Sequence, residues 1–340
     1  MNLEEIYVPI RQELGKVEER LATIVNCGVY PVCELYHYVL SSGGKRIRPA
    51  LVLLSAKSLD YSHPMVTDLA GAVELIHMTS LIHDDIVDST KLRRGRPTAH
   101  IIWPTEIVVT IGDYLFSRAM EMLAEHEDCG VVKLFSRTVE NMAEGELLQV
   151  INRRNIELTE EEYISIISNK TASLISASCE IVSKLASAPD SYSGALSGYG
   201  LNLGISYQIM DDLLDLTSTD NQLGKPARNS IREGILTLPM IHTLRNGNGE
   251  SREQLPSILT REKVNDVDLQ QAVDLISDSG ALYYAQTVAE VYTENAKRNL
   301  AVLKDSSAKR CLLSLADLIV SAHPVKDDRH RCADLIPSRL

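Results

Sequence analysis

Residues 81–88 read LIHDDIVD, and residues 207–215 read YQIMDDLLD. Each run places aspartates at i, i+1 and i+4 among Ile, Leu, Val and Met. In an α-helix positions i and i+4 share a face, so Asp84 projects with Asp88 and Asp211 with Asp215. Like charges one turn apart weaken a helix by about 0.2–0.5 kcal/mol per pair. Burial raises that cost sharply unless a cation is present. A face that alternates aspartate with aliphatic residues does not look like a solvated one. Oxygen-only donors of this kind suit Mg²⁺, which binds through one or two carboxylates plus substrate phosphates.

The same helical spacing extends outward from both runs. Leu69, Ala72, Val73 and Ile76 lead into the first, and Leu201, Ile205, Ile209 and Leu213 carry the second. Leu123, Val131, Leu134, Val139, Met142 and Leu147 mark another helical region, and Leu174 to Leu185 a further one. Strict alternation is rare, with Ile107–Ile111 the best strand candidate. The pattern predicts an all-α protein of roughly ten or more helices. Breaks fall at Ser41–Gly44, Arg94–Pro97, Ala188–Asp190 and Gly224–Pro226, and Asn246–Ser251 reads as a surface loop. No composition shift separates two domains. The expectation is one helical domain over residues 1–340, with 1–20 and 323–340 peripheral.

Composition narrows the function. The chain has 340 residues, 34 Lys and Arg against 46 Asp and Glu, and a formal net charge of −12, which argues against nucleic acid as main partner. Aromatics are 5% of residues, too few for base-stacking platforms. Met1–Glu5 is acidic and reads as neither signal nor transit peptide. No apolar run approaches the ~20 residues of a membrane span. The six cysteines form no C-x-x-C pair, which suits reduced thiols in the cytoplasm.

Cations accompany the acidic helices. Gly43-Gly44-Lys45-Arg46-Ile47-Arg48-Pro49 and Leu92-Arg93-Arg94-Gly95-Arg96-Pro97 each pair cations with glycine. Arg offers forked donors, Lys a point charge, and glycine close backbone approach, as diphosphate binding requires. Either run alone reads as an exposed turn. Two basic turns and two acidic helices beside an apolar interior fit a substrate with a metal-bound diphosphate and an apolar tail, plus a second diphosphate held directly by Lys and Arg.

The sequence resembles the trans-polyprenyl diphosphate synthases from about Leu40 to Ala322. The matching runs are GGKRIRP (43–49), LIHDDIVDSTKLRRGRPTAH (81–100), GDYLFSRA (112–119), GELLQ (145–149), NKTASL (169–174), YQIMDDLLD (207–215), LGKP (223–226) and TLPMI (237–241). The resemblance implies an isoprenoid synthase-type helical domain around a central apolar cavity. It implies that Asp84, Asp85, Asp88, Asp211, Asp212 and Asp215 hold Mg²⁺, three ions per site, on an allylic diphosphate. Gly44, Lys45, Arg48, His77 and Arg94 are expected to bind isopentenyl diphosphate. Arg93, Lys170, Thr171, Gln208 and Lys225 are expected to contact the allylic diphosphate, the last four as catalytic residues. His77 precedes Asp84 by two helical turns on the same face. A homodimer is implied, and some long-chain members need a small second subunit.

Two positions depart from the family's GKPxGxD run: Arg228 stands at the glycine and Ser230 at the aspartate. Thr79 and Ser80 lie about one turn before Asp84, where short-chain members often carry an aromatic floor. Their small size leaves room for the tail to go deeper, and the run IHMTSLIHDD (76–85) resembles medium- and long-chain members, which implies a C30–C50 product, with a C15 or C20 synthase as the alternative. A terpene cyclase would need no second diphosphate site and would carry more aromatics. A non-catalytic subunit would be expected to lose aspartates, and this chain keeps all six.

Overall fold

A computed structural model describes residues 1–24, 30–126, 128–218 and 227–321. In chain order the helices are α1 (Leu3–Tyr7), α2 (Arg11–Ile24), α3 (Val32–Leu40), α4 (Ile47–Ser58), α5 (Met65–Val87), α6 (Ala99–Ile102), α7 (Thr105–Ala124), α8 (Cys129–Ile151), α9 (Glu160–Ile167), α10 (Ser173–Leu185) and α11 (Asp190–Thr217). They continue as α12 (Asn229–Glu233), α13 (Leu238–Asn246), α14 (Gly249–Leu259), α15 (Asp266–Asp278), α16 (Ala281–Asn299) and α17 (Ser307–Ser321). Among the described residues the only strands are β1 (Leu92–Arg93) and β2 (Arg96–Pro97), an antiparallel pair. The all-α expectation holds.

Local chemistry sets several helix starts. Asn2 with Glu5 and Thr159 with Glu162 form capping boxes, each satisfying two backbone donors. Asn248 and Asn265 cap α14 and α15 through their side-chain oxygens. The Asn246–Ser251 run is therefore mostly helix ends. Ile107–Ile111, the strand candidate, lies inside α7, where Val108 and Ile111 are buried while Val109 is 38% exposed. The run is too short to separate the two periods, and its flanks decide.

The chain forms two compact units. The first comprises Met1–Thr138, Leu174–Gly200 and Asn299–Leu315; the second comprises Val139–Ser173, Leu201–Arg298 and the chain from Ala316. In the first, α5 packs chiefly on α7, α4 and α2. It buries residues on every side, including Leu69, Ala72, Val73, Ile76 and Ile82. By length and composition α5 is apolar enough to cross a membrane, contrary to the sequence expectation, yet most of it is covered by protein, as in a core helix. Residues 1–20 are not peripheral: Ile6, Ile10 and Val17 are fully buried. Their spacing, Ile6 to Ile10 and Val17 to Leu21, is that of an apolar stripe. The 323–340 segment lies outside the described residues.

In the second unit one cluster joins Tyr163, Ile166, Ile209, Leu213, Leu238 and Val288. A second joins Leu216, Met240, Leu255, Leu269 and Ile276. Both clusters draw on α11, the helix of the second aspartate run, so that run is anchored by apolar packing on both sides of its sequence. Each fully buried Leu or Ile contributes about 1.5–3 kcal/mol.

Candidate active site

The first unit brings together the residues expected at isopentenyl diphosphate. The loop before α4 turns at Gly43 and Arg46, both in the left-handed region at φ 75° and 49°. A non-glycine residue there costs of order 1–3 kcal/mol, so its surroundings must hold it. A Cβ at Gly44 would lie 3.1 Å from Arg46 Nη1 and 3.2 Å from Arg94 Nη1, so both guanidinium ends pack closely on this backbone and would have to give slightly for a side chain. Arg94 in turn donates to the Ser42 carbonyl at 3.4 Å. Arg94 and Gly95 have φ 54° and 75°, the two positive values that a tight two-residue hairpin requires between β1 and β2. Arg96 is held on α3, with its guanidinium 4.2 Å from the Tyr38 ring and a hydrogen bond to Ser41 Oγ at 3.1 Å. The hairpin thereby fixes Arg93 and Arg94 at its tip.

His77 titrates well below the ordinary imidazole range. Burial is the larger cause, and Arg48, Arg94, Arg93 and Arg46 add repulsion. The four arginines belong to two chain segments, the loop opening α4 and the β1–β2 hairpin, and both add positive charge around His77 on α5. The folded state takes up the His77 proton later than the unfolded chain does. Stability is therefore lost as pH falls from about 6.5 toward the lower folded value. The urea midpoint is expected to drop between pH 7 and pH 5.5 by more in the wild type than in His77→Gln. Equal drops in both would remove His77 as the cause.

Asp84 and Asp85 sit in the last turn of α5, and Asp88 is its C-cap. Asp85 is buried, and its Oδ1 accepts from Arg93 Nε at 2.9 Å and pairs with Nη2 at 2.7 Å. Asp85 thus orients Arg93, one of the expected allylic contacts. Thr79 is buried, its hydroxyl 3.4 Å from the Gly112 carbonyl of α7. Ser80 is half-buried and donates to the His77 carbonyl at 2.9 Å.

The second unit carries the other set. Lys170 and Thr171 lie on a π-helical turn, Ser168–Ala172, between α9 and α10. Such turns are rare and occur mainly at functional sites. Lys170 is ion-paired with Glu146, the residue after Gly145 on α8. A hydrogen-bond chain joins the rest. Thr171 donates to Gln208 Oε1 at 2.9 Å, and Gln208 Nε2 donates to Asp212 Oδ1 at 2.8 Å. Tyr163 donates to Asp212 Oδ2 at 2.7 Å. Burial pushes Asp212 up to about 7; Tyr163 and Gln208 oppose the shift, and Asp211 and Asp215 reinforce it. Both Asp212 oxygens therefore accept from protein donors. Tyr163 had no sequence signal, lying 49 residues from its partner.

Asp215 is buried and held from the start of α12. Ser230 donates to its Oδ2 through N at 3.0 Å and Oγ at 2.7 Å, and Asn229 N donates to Oδ1 at 3.2 Å. The family's aspartate at position 230 would set a second carboxylate against Asp215; Ser230 supplies a donor instead. Arg228 adopts φ 60°, the conformation glycine favours, at a cost of about 1–2 kcal/mol. Lys225 lies outside the described residues.

No group of three or more His, Cys, Asp or Glu among the described residues could hold a metal by itself. The carboxylates on each helix suit a hard divalent cation whose remaining ligands are waters and diphosphate oxygens.

Each unit carries an aspartate-bearing helix, and the first adds cations around His77, a set suited to one diphosphate held through a metal and another held by cations. The polyprenyl synthetase family model matches residues 30–276, and the chain belongs to that family of trans-prenyltransferases. It is 32% identical to octaprenyl diphosphate synthase of Escherichia coli over 320 residues, 94% of this chain and 99% of that one. It is 33% identical to heptaprenyl diphosphate synthase component 2 of Geobacillus stearothermophilus, over 93% and 98% of the two chains. Short-chain synthases are also among its relatives. The structure superposes on polyprenyl synthase of Caulobacter crescentus, complexed with calcium and isoprenyl diphosphate, with TM-score 0.91, 32% identity and 94% and 98% coverage.

Proposed function

We propose that this chain condenses isopentenyl diphosphate head-to-tail onto an allylic diphosphate, giving an all-trans C30–C50 polyprenyl diphosphate. The observation that carries the reading is α5 itself. It bears His77 among four arginines and, two turns on, the Asp84–Asp85 pair. A cyclase would need the acidic set and not the cationic one.

The six aspartates Asp84, Asp85, Asp88, Asp211, Asp212 and Asp215 are the residues that would hold magnesium, proposed as three ions, which when bound would neutralise charge on the leaving diphosphate; Asp85, Asp212 and Asp215 are also held in place by protein donors. Lys170, Thr171, Gln208 and Arg93 contact the allylic diphosphate, with Lys225 added from the run outside the described residues. Lys170 meets the growing charge with a cation, and the Thr171–Gln208–Asp212 chain fixes both polar groups in advance. Lys45, Arg48 and Arg94 clamp isopentenyl diphosphate, and His77, neutral at pH 7, donates one N–H. The allylic C–O bond ionises, and the isopentenyl double bond attacks the cation. The new bond forms and a proton leaves, taken up by the departing diphosphate.

The 30–276 match covers parts of both units, which supports treating them as one synthase domain. The expected homodimer finds support on α8, where Leu147 and Ile151 share a face and are 61% and 75% exposed. A small second subunit is the other occupant of that face. Unbridged Cys129, Cys179 and Cys311 support a reducing, cytoplasmic setting.

Product sizing tests the reading. With Mg²⁺, labelled isopentenyl diphosphate and C10, C15 or C20 primers, the dephosphorylated products are expected beyond C20. Thr79 is used in packing against α7, so Ser80 is the position where an aromatic would act: Ser80→Phe is expected to shorten the product. Wild-type products ending at C15 or C20 would overturn the length assignment, and no elongation by any primer would overturn the enzyme assignment for the chain acting alone.

A further inference from the structure

The run GGKRIRP presents three cations, and they do not share one role. Arg46 faces inward. Its Nε and Nη2 donate to the two carboxylate oxygens of Glu18 on α2, and its Nη1 donates to Glu74 Oε1 on α5 at 2.9 Å. The Arg46 and Glu74 side chains are 11% and 5% exposed. Two carboxylates thus face the one Arg46 guanidinium, which engages them through Nε, Nη1 and Nη2. One residue earlier, the Lys45 carbonyl accepts from the Tyr7 hydroxyl at 2.7 Å. Burial and the Glu74 charge keep that phenol protonated and donating.

These contacts converge on the segment between Gly43 and Arg46, the two left-handed residues that turn the loop. Glu74 lies one helical turn before His77 on α5, so the same ion pair registers the loop to the helix that carries His77. Replacing a buried ion triad by apolar residues is often neutral or stabilising, so stability alone does not explain it. A geometric role does: a loop with a strained non-glycine residue persists only where its surroundings over-determine it. Tyr7 and Glu18 precede residue 30, where the family match begins.

We infer that α1 and α2 form a positioning clamp for isopentenyl diphosphate, with Tyr7, Glu18 and Glu74 setting the loop that presents Lys45 and Arg48. The inference rests on the assignment of Lys45, Arg48, His77 and Arg94 to that diphosphate. Tyr7, Glu18, Arg46 and Glu74 are positioning residues: they act through Lys45 and its neighbours.

The test uses the full chain with Mg²⁺ and the best of the three primers, and measures KM for each substrate, kcat and the thermal midpoint. Tyr7→Phe removes one hydroxyl and keeps the ring. Its KM for isopentenyl diphosphate is expected to rise about fivefold, with KM for the primer and kcat within about twofold of wild type. Glu18→Gln is expected to move the same parameter, and Arg46→Lys to retain more function than Arg46→Ala. In a Lys45→Ala background, Tyr7→Phe is expected to raise that KM by less than it does in the wild type, because only Arg48 is left for the loop to present. An unchanged KM for isopentenyl diphosphate in Tyr7→Phe and Glu18→Gln, or equal changes for both substrates, overturns the clamp. If Lys45→Ala itself leaves that KM unchanged, the ligand assignment fails and the clamp fails with it. The two failures are separated by that one variant.

Discussion

Asp84→Asn and Asp211→Asn are each expected to lower kcat by about 10³-fold while leaving the fold intact. The substitution keeps the shape, removes the charge and turns one accepting oxygen into an NH₂ donor. Asp84 is half-buried at the end of α5, and the relief of its repulsion with Asp88 slightly favours the helix. A loss of rate with the circular dichroism spectrum and thermal midpoint unchanged would place the effect in the chemistry. Asp85→Asn makes the contrast within one motif. Asp85 is buried and orients Arg93, so its replacement is expected to lower the thermal midpoint as well as activity. Steady-state rates over a magnesium titration, with circular dichroism alongside, separate the cases. Near-normal turnover in a folded Asp84→Asn enzyme would sink its assignment as a metal ligand.

The sequence made some of this legible and hid the rest for physical reasons. The aspartate runs could be placed on helices because i and i+4 spacing is local, and the aliphatic residues between them marked them as embedded. The Arg94-Gly95 turn was legible because glycine marks positive φ, although nothing marked Arg94 as sharing it. The strand candidate at Ile107–Ile111 failed because five aliphatic residues fit either period. The burial of Ile6, Ile10 and Val17 follows from an apolar stripe at helical spacing that Leu21 continues. Partnerships across the chain were not legible at all. Arg46 finds Glu18 and Glu74, each 28 residues away, and a run of three cations cannot show that its middle member faces carboxylates. The Tyr163–Asp212 bond belongs to the same class. The π turn at Ser168–Ala172 was also hidden, since no residue pattern in SNKTA distinguishes one wider turn from an ordinary one.

That turn makes Gly145 the second position of large expected effect. A Cβ at Gly145 would lie 2.4 Å from Lys170 N, 2.8 Å from its Cα and 2.9 Å from its Cβ. These are main-chain and branch-point atoms of a helical turn, not the far end of a flexible side chain, so they cannot step aside cheaply. On an exposed helix, glycine to alanine gains about 1 kcal/mol from propensity. Here overpacking costs about 1–3 kcal/mol, so Gly145→Ala is expected to be neutral to destabilising by up to about 2 kcal/mol. The larger effect falls on activity. Lys170 and Thr171 ride on the displaced turn, and Glu146, beside Gly145, pairs with Lys170. A shift of about 1 Å in positioning groups costs about 10²-fold in rate. The expected result is a folded enzyme with kcat down about 10²-fold and a raised KM for the allylic primer, while KM for isopentenyl diphosphate holds. Gly194→Ala on α11 is the control, since a Cβ there meets nothing within 4 Å, and it is expected to gain stability and keep full activity. Wild-type kinetics in Gly145→Ala would mean that the turn can yield without moving Lys170, and that its π geometry does not set the allylic contacts.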